Sequence, residues 1–212
     1  MCYNKDISLV SYILGVGLSS YLFIIGDKYD KNFALFCFTF IQIQLAEYFM
    51  WMDQECNLIN KMATICAYII LAIQPLSILI GSYFYKTTHI NDNILIIMIL
   101  FNLFILFVTI NYYYKNFNKF LCSESYENKG LIWDHLKIDY FNYLIYFIAL
   151  FLIWPFFKNF KKGIFIFISL LLILFKNLYD FKKNQFKKTW KSHWCIESII
   201  LILFYLIFIK FF

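Results

Sequence analysis

A carboxylate stands inside a run otherwise apolar enough to cross a bilayer: Glu47, in FTFIQIQLAEYFMWMDQ, residues 38–54. A charged side chain in hydrocarbon is expensive, and as a rule it faces a partner, a water-filled cavity or a transport path. Gln44, Glu47, Trp51 and Gln54 recur at i, i+3, i+7 and i+10, which places them on one face of a helix. In the next apolar segment Asn60, Thr64, Ala67, Leu71, Gln74 and Gly81 form a matching seam of small and polar residues. Tyr68 lies beside that seam and Glu197 opens the last apolar run. A carboxyl group with amides and hydroxyls around it can bind a cation or polar solute, carry a proton, or tie helices together.

The elements that must position these groups are membrane helices. Hydrophobic residues make up 62% of the 212, against about 45–50% in soluble chains, and no soluble fold of this length hides that much apolar surface. A crossing takes about 20 apolar residues. Seven segments qualify, near 7–26, 33–52, 62–85, 93–114, 140–157, 163–181 and 195–212. The fold class is therefore all-α, a polytopic bundle of seven transmembrane helices in one integral membrane domain, 1–212. Trp51, Trp133, Trp154, Trp190 and Trp194 all fall at or just outside segment ends, where the headgroup layer favours them. Ser11, Gly15 and Ser19 give the first span a small-xxx-small face for close packing. Asn102 and Thr109 in the fourth read as packing groups, and Gln74-Pro75 as a locally satisfied kink in the third. The fifth and sixth spans, nearly uniform Phe, Ile and Leu, read as lipid-facing.

All 19 basic residues are lysine. Eleven lie on the side carrying the N-terminus and seven on the other, with Lys176 inside the sixth span, so the positive-inside rule predicts a cytoplasmic N-terminus. By the same parity Glu47, Lys176 and Glu197 share one leaflet, Glu47 about 7–8 Å deep at 1.5 Å per residue. Six cysteines show neither a CxxC pair nor framework spacing and are expected to be reduced. The longest connection, Lys115 to Asp139, has room for a short interfacial helix.

Other chemistry is thinner. His193, Cys195 and Glu197 with Asp53, Glu55 and Cys56 are metal-ligand types, but their spacing matches no metal motif, so no metal or cofactor is expected. His89, His135 and His193 all lie in connections, against an intramembrane zinc hydrolase, and no lysine stands in mid-span of the last helix to hold retinal. In FKKNQFKKTWK, Lys182, Lys183, Lys187, Lys188 and Lys191 alternate with aromatics, a pattern suited to anionic lipid headgroups and equally to fixing topology. The net charge of +6 fits a membrane surface, and without a soluble basic domain nucleic acid is not an expected partner.

The stretch Gln44-Leu-Ala-Glu47-Tyr-Phe-Met-Trp51, followed by Asn60, Thr64 and Gln74-Pro75, and the later Ser192-His-Trp194-Cys195, resemble a family of uncharacterised multi-span proteins of large DNA viruses and microbial eukaryotes. Lys191 and Ile196 depart from the glycine and the aromatic that the family's second motif carries. The resemblance implies a membrane protein and no particular activity.

These readings lead to a polar pocket between the second, third and seventh spans. It would bind or translocate a small polar solute, ion or proton, with Glu47 at its centre and Gln44, Thr64, Tyr68, Gln74 and Glu197 around it. The alternative is a non-catalytic scaffold or anionic-lipid-binding protein organised by the lysine segment. An intramembrane lipid-modifying enzyme stands third. The bilayer is the expected partner, and a homo-oligomer is compatible with all three.

Overall fold

Asn4 opens the first helix, α1 (Lys5–Ile25), by accepting a hydrogen bond from Ile7 N at 2.9 Å. The chain then turns through Gly26 and Asp27 into α2 (Lys28–Met52), started by a reciprocal capping box between Asp27 and Asp30. In the computed structural model the described residues are 4–115, 117, 122–125, 131–132, 148, 150–182 and 194–211. They continue with α3 (Leu58–Tyr85), α4 (Asp92–Lys115), a 3-10 turn at Trp154–Phe156, α5 (Phe160–Lys182) and α6 (Trp194–Phe211). The connections between α1 and α4 are short, so consecutive helices pack side by side and antiparallel.

α2 is the centre of the bundle. It makes the most extensive helix pairings, with α3 and then α1, and also contacts α6. Of its most apolar window 61% is buried, against 11% for α4, so α4 is the helix that faces outward. The fifth and sixth predicted spans, in contrast, are not simply lipid-facing. Leu150, Ile153 and Trp154 are buried, as are Ile166 and Leu170 on the inner side of α5. Trp154 departs from the headgroup placement expected for it. Its ring is fully buried, 5.7–5.8 Å from those of Phe36 and Phe33 and 5.0 Å from that of Phe157. Such aromatic contacts dominate the packing at this end of the bundle.

Among the described residues four helices, α1 to α4, are long and apolar enough to cross a membrane, by length and composition. Residues 140–147 and 149 of the predicted span 140–157 lie outside the described residues, as do Trp133, Trp190 and lysines 183, 187, 188 and 191; nothing is described of the Lys182 side chain. Most of the long connection, where a short interfacial helix is expected, lies outside the described residues; Phe117 is in 3-10 conformation. It carries a two-residue antiparallel pairing, Glu124 with Ile132 and Ser125 with Leu131, and Leu131 is fully buried against the bundle.

Small residues set the interhelical distances. Ser8, Ser11, Gly15 and Ser19 form the buried stripe of α1, and a side-chain carbon on Gly15 would run into Ile41 of α2. On α3, a carbon on Gly81 would overlap the side chain of Asn32. α3 runs through Pro75 unbroken, and nearby Ser77 Oγ donates to Gln74 O at 2.7 Å while bonding the Thr39 hydroxyl of α2 at 3.0 Å. Asn102 and Thr109 of α4 bond back to Met98 O and Ile105 O in their own helix rather than across to a neighbour. Gly81→Val is expected to destabilise the protein by about 1–3 kcal/mol through overpacking against Asn32. Gly17→Ala, where nothing lies within 4 Å of the added carbon, is expected to leave it unchanged or slightly more stable. Melting temperatures in detergent check both, and equal effects of the two substitutions would count against this account of α2–α3 packing.

Candidate functional site

Of the predicted pocket residues, Gln44 and Glu47 lie on α2, Thr64, Tyr68 and Gln74 on α3, and Glu197 on α6, and all are buried. Glu47 and Gln74 have no exposed surface, Gln44 has 1%, Tyr68 4% and Thr64 7%. No water-sized sphere reaches the Glu47 side chain, so its surroundings are packing rather than a water-accessible cavity. Thr64 Oγ1 donates to Asn60 Oδ1 at 3.1 Å, and Tyr68 stacks on Tyr113 of α4 with ring centres 5.5 Å apart. Glu197, at the start of α6 and 5% exposed, accepts a 2.6 Å hydrogen bond from Lys176 near the end of α5. Lys176 itself is 61% exposed at its side chain, reaching outward from α5 to make that pair.

The hub of this end is Asn60. Its buried amide nitrogen donates its two hydrogens to Asp53 O at 2.6 Å and Ser123 O at 2.9 Å, with Met50 O a third, longer contact at 3.3 Å. Its oxygen accepts from Thr64 Oγ1 and from Ser123 through both N, at 2.9 Å, and Oγ, at 3.0 Å. One side chain thus satisfies the last turn of α2 and fastens residues 122–125 to the bundle. Gln54 adds a second clasp, donating to Met50 O at 2.6 Å and accepting from Ser125 N at 2.8 Å. The expectation of reduced cysteines fails here. Cys56 and Cys122 form a disulfide, their Cα atoms 5.3 Å apart, while Cys37 and Cys66 remain free. The two sulfurs meet across 66 residues and two helices, a proximity that spacing along the chain does not reveal. With Cys56 engaged, it is no longer available to the metal-ligand grouping; among the described residues no three His, Cys, Asp or Glu side chains gather as a metal site.

A second polar cluster, not anticipated from the sequence, occupies the opposite end of α2, about 25 Å from Glu47 at 1.5 Å per residue. Asp30, 3% exposed, accepts from Lys162 Nζ at 2.7 Å and from the Tyr205 hydroxyl at 2.8 Å, joining α2, α5 and α6. Lys162 also pairs with Asp27 at 3.0 Å. Beside it the fully buried Asn32 amide lies 3.0 Å from Ser82 Oγ and 2.8 Å from Thr87 Oγ1, an arrangement in which its oxygen can accept from both hydroxyls. The signal for this cluster was the D-x-x-D capping box at Asp27, with a lone tyrosine hydroxyl, Tyr205, in an otherwise apolar run.

The length and composition of α1 to α4, which close polar seams inside an apolar bundle, point to a membrane protein. No family model and no solved structure matches the chain. It is similar to an uncharacterized protein of Acanthamoeba polyphaga mimivirus, 27% identical over 130 residues, or 56% of this chain and 53% of that protein. The match agrees with the expected link to large DNA viruses, and the chain spans about half the length of this relative.

Asp27 links the second cluster to pH. Burial alone pushes its carboxyl up, but the hydrogen bond and charge of Lys162, with backbone N–H groups of Asp30 and Tyr29, outweigh that and hold it below its ordinary range. A carboxylate lowered in the folded state stabilises fully above its unfolded pKa, and the contribution disappears as pH falls through the folded value. Acidification from about pH 5 to about 2 is therefore expected to lower the melting temperature less steeply in Asp27→Asn, which still caps α2, than in the unaltered protein. Parallel slopes would count against the pairing.

Proposed function

We propose that the protein is a non-catalytic multi-pass membrane scaffold in which Glu47 and its neighbours hold helices together. The burial of Glu47, Gln44 and Gln74 without water access supports this reading over an open solute pocket. A carboxylic acid and two amides can satisfy one another and nearby groups inside hydrocarbon, where an unsatisfied polar group costs several kcal/mol. We place seven spans in the membrane: α1 to α4, the segment near 140–157, α5 and α6. Lys182, Lys183, Lys187, Lys188 and Lys191 then flank the last span at the headgroup level, the position in which they contact lipid.

The disulfide bears on orientation. Cys56 follows α2 and Cys122 follows α4, so an even number of crossings puts both on the face of the N-terminus. Disulfides persist in oxidising compartments. We place this face on the lumenal or exterior side, reversing the orientation drawn from eleven lysines against seven. An Asn-Gly-Thr acceptor inserted between residues 126 and 130 is expected to be glycosylated on expression in a eukaryotic secretory membrane, and one inserted in the turn 86–91 is not. The opposite pattern restores the lysine-based orientation.

A second reading, proton or ion translocation through Glu47, is favoured by one observation: the carboxylate lies inside an apolar bundle, where ionisable groups commonly mark transport paths. One pair of variants separates the two. As structural glue, Glu47→Gln keeps its hydrogen bonding and is expected to melt within a few degrees of the unaltered protein, whereas Glu47→Ala loses about 1–3 kcal/mol. Proton or cation flux in proteoliposomes that is present in the unaltered protein and abolished by Glu47→Gln in a normally melting protein overturns the scaffold reading.

A further inference from the structure

Away from Glu47, at the end of the bundle opposite the disulfide, the turn between α3 and α4 encloses a cleft of about 330 Å³. Its lining includes Lys86, Thr88, His89, Asn91, Asp92 and Lys158. The cleft is built, not a gap between loose turns. His89 N donates to Phe156 O at 2.9 Å and Lys158 N to Thr87 O at 2.8 Å, so a β-bridge clamps Thr88 against Phe157.

Four features of the lining point to an anion. Lys86 is neutralised by Asp92 at 2.7 Å, but Lys158 has no ion-pair partner among the described residues, leaving an uncompensated cation. Thr88 is only 4% exposed, and its hydroxyl has no hydrogen-bond partner among the described residues. A buried hydroxyl left this way costs free energy that a bound acceptor would recover. The first turn of α4 opens at the cleft, its Asn93 N capped by Asn91 Oδ1 at 2.9 Å, so the positive end of the helix adds to the field. His89 also lines the cleft, and an imidazole carries an N–H that can donate to an anion.

Apolar residues close in sequence to the lining are exposed. Phe84, Ile94, Phe156 and Phe160 are all at least half exposed, as is Ile97 a turn further along α4. A free solute would have no use for those surfaces, but the acyl chains of a lipid would. We propose that this cleft binds the phosphate of a membrane phospholipid, with Lys158 and the Thr88 hydroxyl as its donors and the acyl chains lying along Ile94 and Ile97. The orientation argued from the disulfide would turn the cleft toward the cytoplasmic leaflet, where anionic lipids concentrate. The site rests on the membrane placement of the helices and is independent of any role for Glu47 or for the lysine segment at 182–191.

Native mass spectrometry of the full chain in detergent tests this, with phosphatidylglycerol, phosphatidylcholine and inorganic phosphate as probes. The expected result is retained phospholipid, phosphatidylglycerol over phosphatidylcholine. Binding should fall about tenfold in Lys158→Gln and in Thr88→Val, the loss of one hydrogen bond to an anion, and recover in Lys158→Arg. A protein with lysines 182, 183, 187, 188 and 191 neutralised, and Glu47→Gln, should both keep the Lys158-dependent lipid. Melting temperatures establish that each variant is folded, and a paired Lys158→Met serves if Lys158→Gln is not. Retention unchanged by the Lys158 and Thr88 substitutions overturns the proposal. So does saturation by millimolar inorganic phosphate that displaces the lipid, which would assign the cleft to a free anion.

Discussion

Hydrocarbon offers no hydrogen bonds, and the arrangement of α2 follows from that constraint. A helix with an aspartate, an asparagine, two glutamines and a glutamate within apolar sequence is stable in a bilayer only if other helices surround those groups. α2 is accordingly the most enclosed helix, with α1, α3 and α6 packed on it. Its neighbours approach closely because they are small where they touch it, at Gly15 of α1 and Gly81 of α3. α4 carries few such groups, bonds those it has to its own backbone, and stays on the outside.

The polar residues concentrate at the two ends of α2 and are handled differently. At the Asp30 end the solution is ionic: one carboxylate receives a lysine and a tyrosine from two other helices. Removing one partner from such a buried pair costs about 3–5 kcal/mol, which makes this a strong constraint on how α5 and α6 dock. At the Asn60 end the solution is a neutral amide that reaches helix ends and a connecting segment at once. An amide carries both donors and acceptors, so it can bridge carbonyls and N–H groups with no counter-charge.

Much of the fold was legible in the sequence because hydrophobic runs and their polar faces follow the helix period. The seam from Asn60 through Thr64 and Ala67 to Gln74 and Gly81 faces inward as that period requires, and Ser11, Gly15 and Ser19 do the same for α1. Contacts remote in sequence were not legible. Asp30 meets Tyr205 across 175 residues, and Asn60 meets Ser123 across 63. No local pattern encodes either contact. Trp154 misleads for a related reason: a tryptophan near a helix end has the amphipathic form suited to the interface, yet here a ring of phenylalanines supplies a better-packed interior site. The lining of the α3–α4 cleft had no signature at all, since its lysines, threonine and histidine come from two turns remote in sequence and joined by the bridge at Thr88 and Phe157.

The bond between Cys56 and Cys122 closes a covalent ring around α3 and α4. Of α1 to α4, α4 is the least buried, and inside that ring it needs little packing to retain it. Its far end is sewn to the α2–α3 turn by sulfur, and its near end by six residues of chain after Tyr85. This lightly buried helix is therefore a handle on a closed loop. If the backbone were severed anywhere within the ring, the two pieces would stay one molecule until a reductant parted them.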